Sequence, residues 1–194
     1  MRRSLVIAMA CLWATASLGG DQIRSFKIPD TEISFDGKEK LLESPADGFR
    51  PERKDGPIVE FKEYENGEDA DVSIIVYVSR YRKPIKADLN SLLITVAATA
   101  QSIQDEELGE VKVLKEETTT FGEVPAAHVV NFVKSEEGNF YMESMIIGGG
   151  STETSVTLTY LDEPTLKQEA ERLMKSLRVQ GSPAGEMKAI KWDD

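Results

Sequence analysis

From Asp88 onward the apolar positions fall into one stripe. Leu89, Leu92, Leu93, Val96, Ala97, Ala100 and Ile103 recur at i, i+3, i+4, i+7, i+8, i+11 and i+14, the period of an amphipathic helix. Asp88 supplies an N-cap, so a helix is expected over 88–104, closing at the acidic "QDEELGE" near Gly109. A second stripe of Leu166, Ala170, Leu173, Met174 and Leu177 follows Asp162 as cap and Pro164 in the first turn. Elsewhere the pattern belongs to strands. "PIVEFKEYENGEDADVSIIVYVSR" reads as two strands around Asn66-Gly67, a dipeptide suited to hairpins because it tolerates positive φ. The run "VSIIVYV" is apolar on both faces, which places it centrally in a sheet.

Two short strands are expected earlier, in "SFKIPD" and "EISFDGKEKLL", and "ESPADGFRPERKDGP" is loop by its Pro, Gly and Asp content. Four more follow the first helix: "VKVLKEETTT", "AAHVVNFVK", "FYMESMIIG" and "TSVTLTYL", linked by "FGEVP", "SEEGN" and "GGGST". Links this short favour antiparallel pairing. The expected fold is therefore α+β: an antiparallel sheet of about six to seven strands covered by two main amphipathic helices. Residues 21–180 form the single domain, which "LRV" closes. Residues 181–194, "GSPAGEMKAIKWDD", hold too few apolar side chains to offset ordering costs of about 1–2 kcal/mol per residue, and are expected to be a flexible tail.

Composition changes the picture at the N-terminus. "MRRSLVIAMACLWATASLGG" opens with Arg2 and Arg3, runs apolar from Leu5 to Ala14 and offers Ala14-Thr15-Ala16 as a small-x-small cleavage pattern. That layout is a signal peptide, residues 1–16, and implies a periplasmic or secreted protein. The alternatives are an uncleaved anchor, twin-arginine export through Arg2-Arg3, and a lipid on Cys11, although "AMAC" lacks the branched apolar residue of a lipobox. Cleavage removes Cys11, the single cysteine, and with it any thiol or disulfide chemistry. It also removes two arginines, so the formal net charge moves from −11 to −13, with 21 basic residues against 34 acidic. Such acidity speaks against nucleic acid, against an anionic membrane surface and against stable membrane insertion of the mature chain. It fits a well-hydrated surface, or else a basic partner or cation.

The order of elements resembles the PsbP-like fold, shared by a photosystem II extrinsic subunit, DcrB-like periplasmic lipoproteins and a Ran-binding import factor. The resemblance spans residues 25–179 and rests on "FKIP", the stripe over 88–104, "TTTFGEVPAAHVVNFV" with its Gly-x-x-Pro-Ala turn, and "VTLTY" followed by a helix ending "LMKSLRV". These are soft patterns without a catalytic signature, and this chain lacks the lipobox of the lipid-anchored members. The resemblance implies an exported, non-catalytic binding or assembly-assisting module, with a protein partner in the extracytoplasmic space and no shared active site to carry over.

The residues themselves offer few chemical alternatives. His128 is the single histidine; no Gly-x-Ser-x-Gly elbow accompanies it, and one imidazole makes a poor zinc site. On a strand it shares a face with Ala126, Val130 and Phe132, while Ala127, Val129 and Val133 share the other, so it is expected to be structural. "ENGEDAD", 65–71, lacks EF-hand spacing, and "GGG", 148–150, lacks the Lys and helix of a phosphate loop. No catalytic, cofactor-binding or metal-binding residue is therefore assigned. A carboxylate-dependent extracytoplasmic hydrolase stays open, since two facing carboxylates suffice, as does a soluble carrier of a small apolar ligand. The exported chain is expected to begin at Ser17, because Ala14 and Ala16 fit the peptidase's small-residue pockets. Intact mass checks this, and a mass that still includes residues 1–16 would overturn it.

Overall fold

Period-two alternation governs most of what the chain builds. The computed structural model describes residues 22–38, 40–44, 58–67, 70–83, 110–136, 138–149 and 151–191. Twelve strands are present among them: β1 Arg24–Lys27, β2 Ile33–Gly37, β3 Leu42–Glu43, β4 Ile58–Glu65, β5 Ser73–Tyr81, β6 Glu110–Phe121, β7 Val124–Ser135, β8 Gly138–Gly149, β9 Thr152–Leu161, β10 Arg178–Val179, β11 Ser182–Pro183 and β12 Lys188–Ala189. One helix, α1, spans Pro164–Ser176. The strands form an eight-stranded sheet in the order β12-β6-β7-β8-β9-β5-β4-β3 and a four-stranded sheet in the order β1-β2-β10-β11.

This corrects the expected architecture. The described chain is mostly β, with two sheets and one helix, rather than a single sheet of six to seven strands under two main helices. The additional strands β3, β10, β11 and β12 are two residues long. Nothing so short has a periodicity; β3, β10 and β12 exist as partners of β4, β2 and β6, and β11 folds back on β10. The helix expected over 88–104, the leader 1–16, the loop at 45–57 and Trp192 lie outside the described residues. Part of the run 181–194, expected as a tail, has partners in the fold. There Ser182 pairs with Val179, Lys188 with Thr118 and Ala189 with Glu117, while Met187 packs against the core.

Hairpin chemistry sets the registers. Gly122, at φ +62°, makes the two-residue turn that leaves Phe121 opposite Val124. At the β4–β5 hairpin Asn66 works through its side chain: Nδ2 donates to Val72 O at 2.8 Å, and Oδ1 accepts from the Ile74 N–H at 2.8 Å. The inner face of the large sheet presents Val76, Ala126, Met145, Ile147, Val156 and Leu158. Against it lie Ala170, Leu173, Met174 and Leu177, and Ile33, Phe35 and Val179 from the small sheet. A buried leucine such as Leu173, 5% exposed, is worth about 2–5 kcal/mol when truncated to alanine. Glu163, not Asp162, occupies the N-cap position of α1; the Asp162 carboxylate instead holds Lys167 Nζ at 2.6 Å.

The two sheets are pinned together at the β1–β2 turn. Asp30 stands there at φ 59°, a conformation that Asp tolerates better than most residues. Its carboxylate accepts from Lys62 Nζ and, at 3.2 Å, from the hydroxyl of the buried Tyr64, both on β4. The Lys62 ammonium holds the Asp30 carboxyl below its ordinary value. A carboxyl with a depressed folded-state pKa adds stability above its unfolded pKa and loses it as pH falls through the folded one. Asp30→Asn should therefore lower the melting temperature at neutral pH, with the gap to the parent closing as pH falls through the depressed folded-state pKa, below the ordinary aspartate range. Melting curves across that range check this, and a gap independent of pH would show that the charge contributes nothing.

Candidate functional site

His128 is buried between two carboxylates. Register explains how they meet. Glu117 on β6 lies directly opposite His128 on β7, whose partner on β8 is Met145. Glu143 is two residues from Met145, so it projects from the same face as a diagonal neighbour. Nε2 of His128 lies 2.8 Å from Glu143 Oε1, and Nδ1 lies 3.4 Å from Glu117 Oε2. Glu117 also holds Lys115 Nζ at 2.8 Å, and Tyr160 on β9 donates its hydroxyl to Glu143 Oε2 at 3.1 Å. The result is a polar row, Lys115–Glu117–His128–Glu143–Tyr160, running across four strands.

Burial deepens from Lys115 to His128 and stays deep at Glu143. Side-chain exposure is 47% at Lys115, 15% at Glu117, 7% at His128 and 11% at Glu143. Burial of Glu117 disfavours its charge, yet hydrogen bonds from Lys115 and His128 outweigh that and leave its carboxyl below the ordinary range. Burial, reinforced by the Glu143 carboxylate, pushes the Tyr160 phenol up, so it stays protonated at neutral pH. A carboxylate only accepts, so both imidazole contacts are hydrogen bonds together only when each ring nitrogen carries a proton.

Aromatic rings flank the row. Tyr141 stacks on Tyr160, with centroids 5.4 Å apart and planes at 10°, and Phe132 tilts onto Tyr141 at 5.1 Å. Lys167 of α1 places its ammonium 4.6 Å from the Tyr141 ring centre, which ties the helix to this part of the sheet. A separate shallow groove of about 430 Å³ lies beside α1, where Arg172, Lys175 and Arg178 approach Asp36 and Glu171. Its cations are already engaged: Arg172 with Glu169 at 2.7 and 2.8 Å, Lys175 with Glu171 at 2.6 Å, and Arg178 with the Lys175 carbonyl at 2.6 Å.

Strand alternation groups His128 with Ala126, Val130 and Phe132 but names none of its polar partners. The signal was present in hairpin arithmetic. A two-residue turn with Phe121 opposite Val124 puts position 117 opposite position 128. Each imidazole nitrogen faces a carboxylate, and the one hydroxyl in the row is the phenol of Tyr160.

No family model and no curated protein matches the chain. Solved structures do. The solution structure of cyanobacterial PsbP (CyanoP) from Synechocystis sp. PCC 6803 superposes with a TM-score of 0.59 at 11% identity, over 87% of this chain and 98% of that one. A Pseudomonas aeruginosa protein of unknown function, PA94, aligns with a TM-score of 0.36 at 11% identity, over 77% of this chain and 94% of its own. The chain has a PsbP-like fold, as the resemblance in sequence implied.

His128→Ala would leave Glu143 buried and without its imidazole, a loss of about 3 kcal/mol in urea unfolding. His128→Ala with Glu143→Ala should cost less than the sum of the single changes, because the orphaned charge leaves with its partner. Full additivity would show that the two side chains are not coupled.

Proposed function

We propose that the chain is a non-catalytic binding or assembly-assisting module that works outside the cytoplasm on a protein partner. The observation that carries this reading is the closure of its polar row. A hydrolase of the two-carboxylate type needs its acids to face each other across a space that admits substrate and water. Here the His128 ring lies between Glu117 and Glu143, 3.4 Å from one carboxylate and 2.8 Å from the other, and fills the space between them. A carrier needs a cavity between helix and sheet. That layer is occupied by Ala170, Leu173 and Met174 packed on the sheet's apolar face. Among the described residues this leaves the surface, which is rich in paired charges; the chain is acidic overall. The PsbP-like fold supports the reading, and the leader pattern of residues 1–16 supports export.

The test is affinity capture of the tagged chain, exported by its own leader, from the extracytoplasmic fraction of its source. A partner retained in fixed ratio and displaced by excess untagged protein is the expected result. Absence of any such partner, together with a hydrolytic activity that Glu143→Gln abolishes without unfolding the chain, would replace this reading with the hydrolase.

A further inference from the structure

A neutral imidazole offers one donor and one acceptor, yet His128 faces two acceptors. Nε2 stands 2.8 Å from Glu143 Oε1, and Nδ1 stands 3.4 Å from Glu117 Oε2. With one ring proton, one of these contacts sets a nitrogen lone pair against a carboxylate oxygen. With two, both contacts close as charge-assisted hydrogen bonds. Charge balance follows the same proton. Lys115 and a charged His128 match Glu117 and Glu143, whereas a neutral ring leaves the row one charge negative. His128 is also the one cationic partner of the buried Glu143 among the described residues. A buried carboxylate without such a partner is costly.

We propose that His128 is a proton-operated clasp: doubly protonated it ties β6 to β8 across β7, and singly protonated it keeps Glu143 and releases Glu117. The Glu117 side is the one that yields, because its contact is longer and Lys115 remains to hold the carboxylate at 2.8 Å. The surroundings single out the ring. From β6 it meets Glu117, with Lys115 beyond; from β8, Glu143; from β9, Tyr160 behind Glu143. Beside it on its own strand stand Ala126 and Val130. α1 adds Glu171, whose charge reaches Tyr160 and Lys115, and Lys167 over the Tyr141 ring. Burial of Glu117 is outweighed by hydrogen bonds from Lys115 and His128, which keep its carboxyl below the ordinary range, and burial keeps the Tyr160 phenol above its own. Neither therefore changes charge between pH about 5 and about 8, the span in which an imidazole does. The inference stands independently of the function proposed above.

The experiment uses the full chain without a histidine tag, so that His128 gives the one imidazole signal. Nitrogen-15 NMR of the folded protein should show both ring nitrogens protonated at the acid end of that span. Toward the alkaline end Nδ1 should lose its proton while Nε2 keeps its own. The folded chain gains from the second proton, so the folded-to-unfolded ratio in urea should fall as pH rises, by at most about tenfold per pH unit for one proton. His128→Gln should lack this fall. Glu117→Gln should weaken it, because the amide can donate to an unprotonated Nδ1; together with the parent's ring signals it decides the matter even if His128→Gln does not fold. A ring that keeps one proton, or two, across the whole span would overturn the proposal. So would equal pH dependence in the parent and in either variant that folds.

Discussion

Antiparallel pairing of β6 with β7, and of β7 with β8, decides which side chains meet in this protein. Successive residues of a strand point to opposite faces, so a slip of one residue moves a whole strand's inward set outward. In the observed register Ala126, Met145 and Ile147 face the helix, and His128 falls between Glu117 and Glu143 on that same face. The slipped register would separate the imidazole from both carboxylates and turn Ala127, Val129 and Ile146 toward α1. Apolar packing and the polar row thus select the same register. A buried charge that has lost its partner costs several kcal/mol, so the row also penalises the wrong pairing.

The small sheet and α1 depend on that frame. Ile33 and Phe35 from near the start of the chain meet Val179 from near its end, and Arg178 pairs with Ser34. Arg172 reinforces the junction by donating to the Asp36 carbonyl at 3.0 Å, and the Ser176 hydroxyl accepts from the Asp36 N–H at 2.9 Å. The Asp30–Lys62–Tyr64 contact adds a tie from the first turn to β4. Contacts of such sequence separation are costly to close before they form and mutually supportive afterwards, which favours a cooperative body over separable halves.

Among the described residues the polar groups are largely matched within the fold. The strongest titratable cluster is consumed internally, and the basic groups beside α1 are matched by carboxylates and carbonyls. Among the described residues the exposed large apolar side chains are scattered: Ile23, Leu42, Val59, Leu161 and the adjacent Val113 and Leu114. Val113 and Leu114 lie on the open stretch of β6, where backbone donors and acceptors accompany them, and that combination sets this edge apart from the others.

The strands from β4 to β9 were legible in the sequence because each is long enough to show alternation and is bounded by turn residues. The stripe of α1 was legible because a 3.6-residue period repeats within it. The residues that share a face with His128 followed from the same alternation. Its bonds to Glu117 and Glu143 did not, because they depend on register across two hairpins, and register is a relation between strands that no single strand records. The two-residue strands β3, β10, β11 and β12 had no local signal at all. "GSPAGEMKAIK" has the composition of a loose tail, yet it pairs because β6 offers it an edge and the core offers Met187 a seat. Local sequence set periodicity, turn chemistry and the inward face of each long strand. Which strands became neighbours, which carboxylates reached the histidine and where the C-terminal run came to rest were decided by tertiary pairing, because those contacts join residues that the chain alone keeps far apart.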